Sequence, residues 1–152
     1  MEPTIEQTAG VEFFIQKIFT KDLSFESPNT PAIFTKPWKP ETNVAINTAS
    51  QKLDDKNFEV TLSVTATTKS NADVAYVAEV KQTGVFGITG APESQLGHIL
   101  GSFCPNTLFP YAREAISSLV TRGGFPELNL TPINFDALYA QSLQQAQNEV
   151  KH

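Results

Sequence analysis

Cys104 and His98 are the one pairing in this 152-residue chain that could carry nucleophilic catalysis, a thiol with an imidazole to take its proton. A thiol hydrolase built on them would still need a third group to orient the base. The chain has a single cysteine and two histidines, and the second, His152, is the last residue. A small buried side chain beside Pro105 and a partly exposed histidine explain the pair more simply, because free cysteines are often buried. Two histidines and one cysteine at these positions make no metal-ligand spacing. The adjacent carboxylates Asp54 and Asp55 fall in a turn, where a solvated turn outweighs a general acid and base. Glycines 84, 87 and 90 lack the strand-to-helix context of a phosphate loop, and no Lys-Ser or Lys-Thr follows them. The expectation is a protein with no catalytic residues, no metal and no cofactor.

Charge and composition narrow the class further. The chain holds 11 basic and 16 acidic residues, a formal charge of -5, with the basic residues scattered. Nucleic-acid partners need concentrated Lys and Arg, so no nucleic acid is expected. An acidic surface instead suits a basic protein partner. One cysteine excludes an internal disulfide. No stretch approaches the roughly 18 apolar residues of a membrane span, so no direct membrane insertion is expected. The first ten residues carry Glu2 and Glu6 without the basic and apolar regions of a secretory signal. A cytoplasmic protein of one domain follows as the expectation, with a disordered segment at 1–10, the domain at 11–145 and a flexible tail at 146–152.

Strands come first along the chain. In Val11 to Phe25, alternation puts Val11, Phe13, Ile15, Phe19, Leu23 and Phe25 on one face. Prolines 28, 31, 37 and 40 make the next stretch a loop, since proline fixes φ and removes donors. A second strand is predicted from Asn43 to Thr48, with Val44 and Ile46 inward. Phe58, Val60, Leu62, Val64 and Ala66 alternate with polar residues and give the clearest strand. After a turn at Ser70 to Asp73, a fourth strand runs from Val74 to about Gln82 with both faces partly apolar.

Helical spacing takes over after Gly90. Pro92 to Phe103 reads as a short helix broken near Gly101. Leu108, Phe109, Ala112, Ala115, Ile116, Leu119 and Val120 mark a long helix from Asn106 to Thr121, with Pro110 in its first turn and Gly123-Gly124 closing it. A loop from Glu127 to Ile133 precedes a last helix capped by Asn134. Strands followed by helices indicate α+β: a four-stranded antiparallel sheet with helices packed on one face, the long helix followed by a C-terminal helix.

What stands out is apolar material where loops should be polar. Phe34 and Trp38 occupy the first proline-rich loop, and Phe125, Leu128, Leu130 and Ile133 the second. A single such aromatic would merely lid the core. Two proline-stiffened, aromatic-bearing segments together suit binding equally well, because a rigid loop presents apolar surface without collapsing and lowers the entropic cost of capture.

The run from Leu100 to Tyr139, LGSFCPNTLFPYAREAISSLVTRGGFPELNLTPINFDALY, resembles the SecB family of export chaperones, as does QKIFTKDLSFESPNTP from Gln16 to Pro31. The resemblance covers about Phe13 to Gln145 and agrees with the strand pattern between the two segments. It implies an ATP-independent chaperone that binds unfolded secretory precursor polypeptides, keeps them competent for translocation and delivers them to the SecA motor. The client groove of such proteins is lined by aromatic and aliphatic side chains. By position, Phe34, Trp38, Phe109, Phe125, Phe135 and Tyr139 resemble that lining.

The same resemblance assigns two further surfaces. Asp22 and Glu26 match the acidic positions that contact the basic, zinc-containing tail of SecA, and Val77 and Glu79 match the rest of that patch; the zinc belongs to SecA. Ala78, Val80 and Gln82, with Ile116 and Leu119 on the long helix, resemble the subunit contacts of a homotetramer, a dimer of dimers. The carboxyl end departs from relatives that end acidic, since Glu149 is the only acid from Gln144 to His152. Two other classes stand beside the chaperone: a small-ligand carrier with a closed aromatic pocket, and the Cys104–His98 enzyme.

Overall fold

The structure is a computed structural model and describes residues 10–150. Four strands, β1 (Glu12–Glu26), β2 (Pro40–Lys52), β3 (Asn57–Ser70) and β4 (Asp73–Thr89), form one sheet in the order β1-β4-β3-β2. Every neighbouring pair is antiparallel. Because β1 and β2 lie at opposite edges, the proline-rich loop must carry the chain across the sheet. It crosses at the β3–β4 turn, where Ser27 and Asn29 donate to the carbonyls of Ala75 and Val74 and Ser70 Oγ accepts from the Lys39 amide.

Three helices follow. α1 (Glu93–His98) runs through a π-helical turn at Ile99–Phe103 into α2 (Cys104–Arg122), and α3 (Phe135–Val150) closes the chain. α2 lies over β4 and β3. Its Leu108, Ala112, Ile116 and Val120, four residues apart, meet Val60, Leu62, Val64, Val80 and Phe86 in the core. Burying each of the Leu, Ile, Val and Phe side chains among these contributes about 1.5–3 kcal/mol. None of the helices in the described residues is long and apolar enough to cross a membrane.

Several expectations need correction. The first strand does not alternate throughout: bulges between Ile15 and Lys17 and between Thr20 and Asp22 each insert a residue and reverse the faces. Phe13, Ile15, Phe25 and Leu23 stay on the helix side, but Phe19 turns to the outer face while Ile18 and Thr20 turn inward. β4 continues past Gln82 to Thr89 because Gly84 lets it pass beneath its neighbours; a Cβ there would lie 2.6 Å from the Phe86 ring and 3.2 Å from Leu108. Gly101 does not break the helix but sits in the π-helical turn, and Cys104-Pro105 opens α2 without interrupting the chain. Pro110 is therefore inside α2 and not in its first turn, which leaves the Asn106 carbonyl without its helical donor. α3 includes residues 146–150 of the expected tail. Residues 1–9 of the expected disordered segment, and 151 and 152, lie outside the described residues.

Candidate functional site

An aromatic cluster forms where the crossing loop, the sheet and the end of α2 meet. Phe25 and Tyr76 stack across β1 and β4 at 5.8 Å and make its floor. Phe125, just past α2, sits 5.0 Å from Tyr76. Phe34 and Trp38 then pack on Phe125 at 5.0 and 5.7 Å. The short 3-10 turn Ala32–Thr35 sets the direction of Phe34, because its neighbour Ile33 is buried and anchors the turn. Gly123 and Gly124 permit the close approach: a Cβ on Gly123 would strike the Phe25 ring, and Gly124, at φ +88°, lies under Phe34. The result is a buried base with two exposed walls, Phe34 at 51% and Trp38 at 36% exposure. Burial pushes the Tyr76 hydroxyl up, and a hydrogen bond with Thr68 partly offsets this.

The other three candidate groove residues gather at a second place. Phe109 and Phe135 pack edge to face at 5.9 Å, and the Arg113 guanidinium lies 5.7 Å from the Phe109 ring. Tyr139 lies on Gly97 and Gly101, with no side chain between ring and backbone. Beside it, a cleft of about 520 Å³ separates β2 from α3, lined by Ile46, Thr48, Ser50, Leu100, Leu138 and Tyr139 among others. The segment from Phe125 to Phe135 links the two places, with Leu130 buried along the way. The six candidates thus divide three and three. Phe109, Phe125 and Phe135 are 5%, 5% and 3% exposed, so they support the surface, while Phe34, Trp38 and Tyr139 present it.

Sequence reasoning missed Phe25 and Tyr76 as parts of the cluster, and Ile46 and Leu138 as lining of the cleft. Alternation marks Phe25, Tyr76 and Ile46, and helical spacing marks Leu138, only as apolar positions. What unites Phe25 with Tyr76 is the β1–β4 register, which pairs Phe25 with Ala78 and brings both rings to one side of the sheet.

Asp22, Glu26, Val77 and Glu79 fall together on the opposite, outer face. The register sets Glu26 against Val77, Ser24 against Glu79 and Asp22 against Lys81. No bulge separates Asp22 from Glu26, so both point the same way. Asp22 and Glu26 are exposed, and Val77 and Glu79 half-buried.

The expected subunit-contact residues differ in exposure. Ala78, Val80 and Ile116 are fully buried and Gln82 is 3% exposed, all between the sheet and α2 of the same chain. They point to the helix-covered side of the sheet. Leu119 alone of the five stays half-exposed.

The Cys104–His98 dyad does not form. Cys104 is fully buried in the core, and burial pushes its thiol well up, so it remains protonated at neutral pH. His98 faces away to Asp136, with Nε2 2.8 Å from Oδ1, and Ser102 Oγ donates to the same carboxylate oxygen. The hydrogen bond from Ser102, then that from His98, holds the Asp136 carboxyl below its usual range. Asp54 is likewise lowered, by Asn57 and by the amides of Lys56 and Asn57, as the first residue of a turn. Among the described residues no group of three His, Cys, Asp or Glu could hold a metal ion.

Comparison with known proteins places this architecture. The family model described as preprotein translocase subunit SecB matches residues 6–146. The Mycobacterium tuberculosis SecB-like chaperone Rv1957, solved with a ChAD peptide from the Rv1956 HigA1 antitoxin, superimposes with a TM-score of 0.67 at 18% identity, covering 80% of this chain and 90% of that one. A Streptococcus agalactiae protein of unknown function matches more loosely, with a TM-score of 0.42 at 11% identity, covering 81% of this chain and 99% of that one.

Proposed function

The chain belongs to the SecB family, whose members are chaperones and not enzymes, and from that premise we propose that it holds unfolded secretory precursors and hands them to SecA. The observation that carries the proposal is the pair of exposed rings, Phe34 and Trp38, propped on a buried aromatic base. Large apolar side chains held in water by a rigid support suit capture of apolar segments that a folded protein would hide. The cleft under α3, flanked by the edge strand β2, extends the same path. Apolar contact of this kind tolerates many client sequences. That the mycobacterial SecB-like chaperone was solved holding a peptide supports a polypeptide ligand over a small molecule.

The outer face supplies a second, separate surface for delivery. Asp22, Glu26 and Glu79 around Val77 would attract the basic tail of SecA, and such attraction gives fast, salt-sensitive exchange. Because clients bind on the helix side, both partners can be held at once. We assign the working form to a cytoplasmic homotetramer built as a dimer of dimers. Two features support assembly: β1 leaves one edge of the sheet unpaired, and α2 exposes Tyr111. Repeating a weak site on several subunits tightens capture of one long client through effective concentration.

The test is aggregation of a denatured secretory precursor diluted into buffer with this protein and no nucleotide, with particle mass followed by light scattering. Suppression at about one tetramer per client is expected from such multivalent capture. An unchanged aggregation rate at a large excess of protein would overturn the proposal.

A further inference from the structure

We infer that the cleft between β2 and α3 selects stretches of client chain that carry no charge, and turns away basic and acidic stretches alike. The inference rests on the reading that clients enter this cleft, and it names the segments that fit there.

Both walls are free of charge over long runs. β2 holds no Asp, Glu, Lys or Arg from Thr42 to Gln51, and α3 holds none from Ala137 to Asn148. In a chain that is 18% charged, two such runs facing one cleft set it apart from the rest of the surface. The walls present amides and hydroxyls instead: Asn47, Thr48 and Ser50 on β2, and Gln141, Ser142 and Gln145 on α3. Ile46, Leu138 and Tyr139 add apolar contact. Among the described residues, no charged side chain lines the cleft. The charges nearest in sequence are placed elsewhere. Lys52 lies past Ser50 and pairs with Asp55 at 3.8 Å, and His98 and Asp136 line a separate notch.

The edge of β2 favours an extended polypeptide as the occupant. β2 pairs with β3 on one side only, so its other side leaves main-chain donors and acceptors free. Exposed edges are usually blunted by Lys, Pro or an inward charge, and from Thr42 to Gln51 this one carries none of these. A client strand laid beside it gains main-chain hydrogen bonds whatever its sequence. Discrimination then falls to the side chains that enter the cleft. An uncharged polar side chain exchanges water for the amides and hydroxyls of the walls. A Lys or Glu there loses hydration and meets no opposite charge, which weakens binding. The polar lining residues are exposed, so water still reaches the cleft and the loss stays moderate.

Net charge alone argues the other way. The chain carries -5, which would draw basic clients toward its surface. Yet Asp22, Glu26 and Glu79 lie on the outer face of the sheet, and the cleft opens on the inner one. Their field is screened over about 8 Å at physiological salt, so contacts inside the cleft decide. Acid outside and neutrality inside separate a basic tail from an uncharged client.

The test uses the full protein and three end-blocked, dye-labelled peptides of the length of β2, 13 residues. The first alternates Val and Leu with Ser, Thr and Gln. The second and third carry Lys or Glu at two of the polar positions. Fluorescence anisotropy should show the neutral peptide bound about three- to tenfold more tightly than either charged one. Its affinity should stay the same from low to high salt. Gln141→Glu changes an exposed helical position, so the fold tolerates it. It should restore the Lys peptide to the neutral peptide's affinity and weaken the Glu peptide further, and Gln141→Lys should do the reverse.

A Lys peptide that binds the unaltered protein as well as the neutral one overturns the inference. So does a ranking that Gln141→Glu leaves unchanged while the neutral peptide still displaces a denatured precursor; the holdase reading then stands without selection in the cleft. If no peptide displaces the precursor, clients do not enter this cleft and the reading beneath the inference falls with it. A particle mass that drops in Gln141→Glu, with no change in peptide ranking, would seat a second copy of this chain in the cleft and overturn the inference as well.

Discussion

The ring of Phe34, half in water, lies 5.0 Å from the ring of Phe125, which is almost wholly buried. One residue belongs to a surface and the other to the core. Their contact transmits the rigidity of the core to the exposed ring. It also separates two effects that mutation would otherwise confuse.

Phe34→Ala should lower affinity for unfolded clients severalfold while leaving stability within about 0.5 kcal/mol, as exposed substitutions do. Phe125→Ala should instead cost about 3–5 kcal/mol, because a buried aromatic leaves a cavity. Denaturant unfolding paired with client titration reads both. Equal stability losses in the two variants would show that Phe34 is a core residue with an exposed edge.

Glu79→Lys should weaken SecA binding and spare client binding, because Glu79 lies on the outer face and the aromatic cluster on the inner. The effect should shrink as salt rises, since the attraction is between partly exposed charges. Calorimetric titration with the SecA tail at low and high salt checks it. Unchanged affinity would remove the outer face from the delivery account.

The buried thiol of Cys104 makes stability depend on pH in a definite direction. Burial raises its pKa in the folded state, so its contribution is intact below the unfolded value, about 8.5, and is lost as pH climbs through the folded one. Tyr76, raised by the same cause, acts in the same direction nearer pH 10. Cys104→Ala should therefore keep client binding and lose less stability than the unaltered protein between about pH 8 and 10. Parallel losses would mean that the thiol titrates as if exposed.

Much of this was legible in the residues. Strict alternation in Phe58–Ala66 fixed a strand with one core face, and the i+4 series Leu108, Ala112, Ile116, Val120 fixed the covering helix. Phe34 and Trp38 announced themselves by being aromatic in a proline-rich loop. What could not be read was any feature set by a partner far along the chain. Bulges near Gln16 and Lys21 follow from pairing with β4 and turned Phe19 outward. The resemblance put a subunit contact at Ala78, Val80 and Gln82, and alternation along β4 does not tell that α2 of the same chain covers these residues. Local periodicity gives the faces of an element but not which face its neighbours cover.

Gly101→Ala probes the seat of α3. A Cβ at this position would lie 2.6 Å from Cε1 of Tyr139, with other ring atoms also in its way, so the ring must lift. Hydrogen exchange in α3 should rise while the core of the sheet stays protected. Rising exchange in β3 as well would place Gly101 among residues on which the whole fold depends.

Trp38 is the only tryptophan in the chain, so its emission reports directly on the proposed client surface. The decisive measurement is that emission during titration with a tryptophan-free unfolded polypeptide, and again with the same polypeptide folded. The account predicts a saturable blue shift with the unfolded form, weakened by Phe34→Ala, and no change with the folded one. Client binding that leaves the Trp38 spectrum untouched would contradict it and move the binding surface elsewhere.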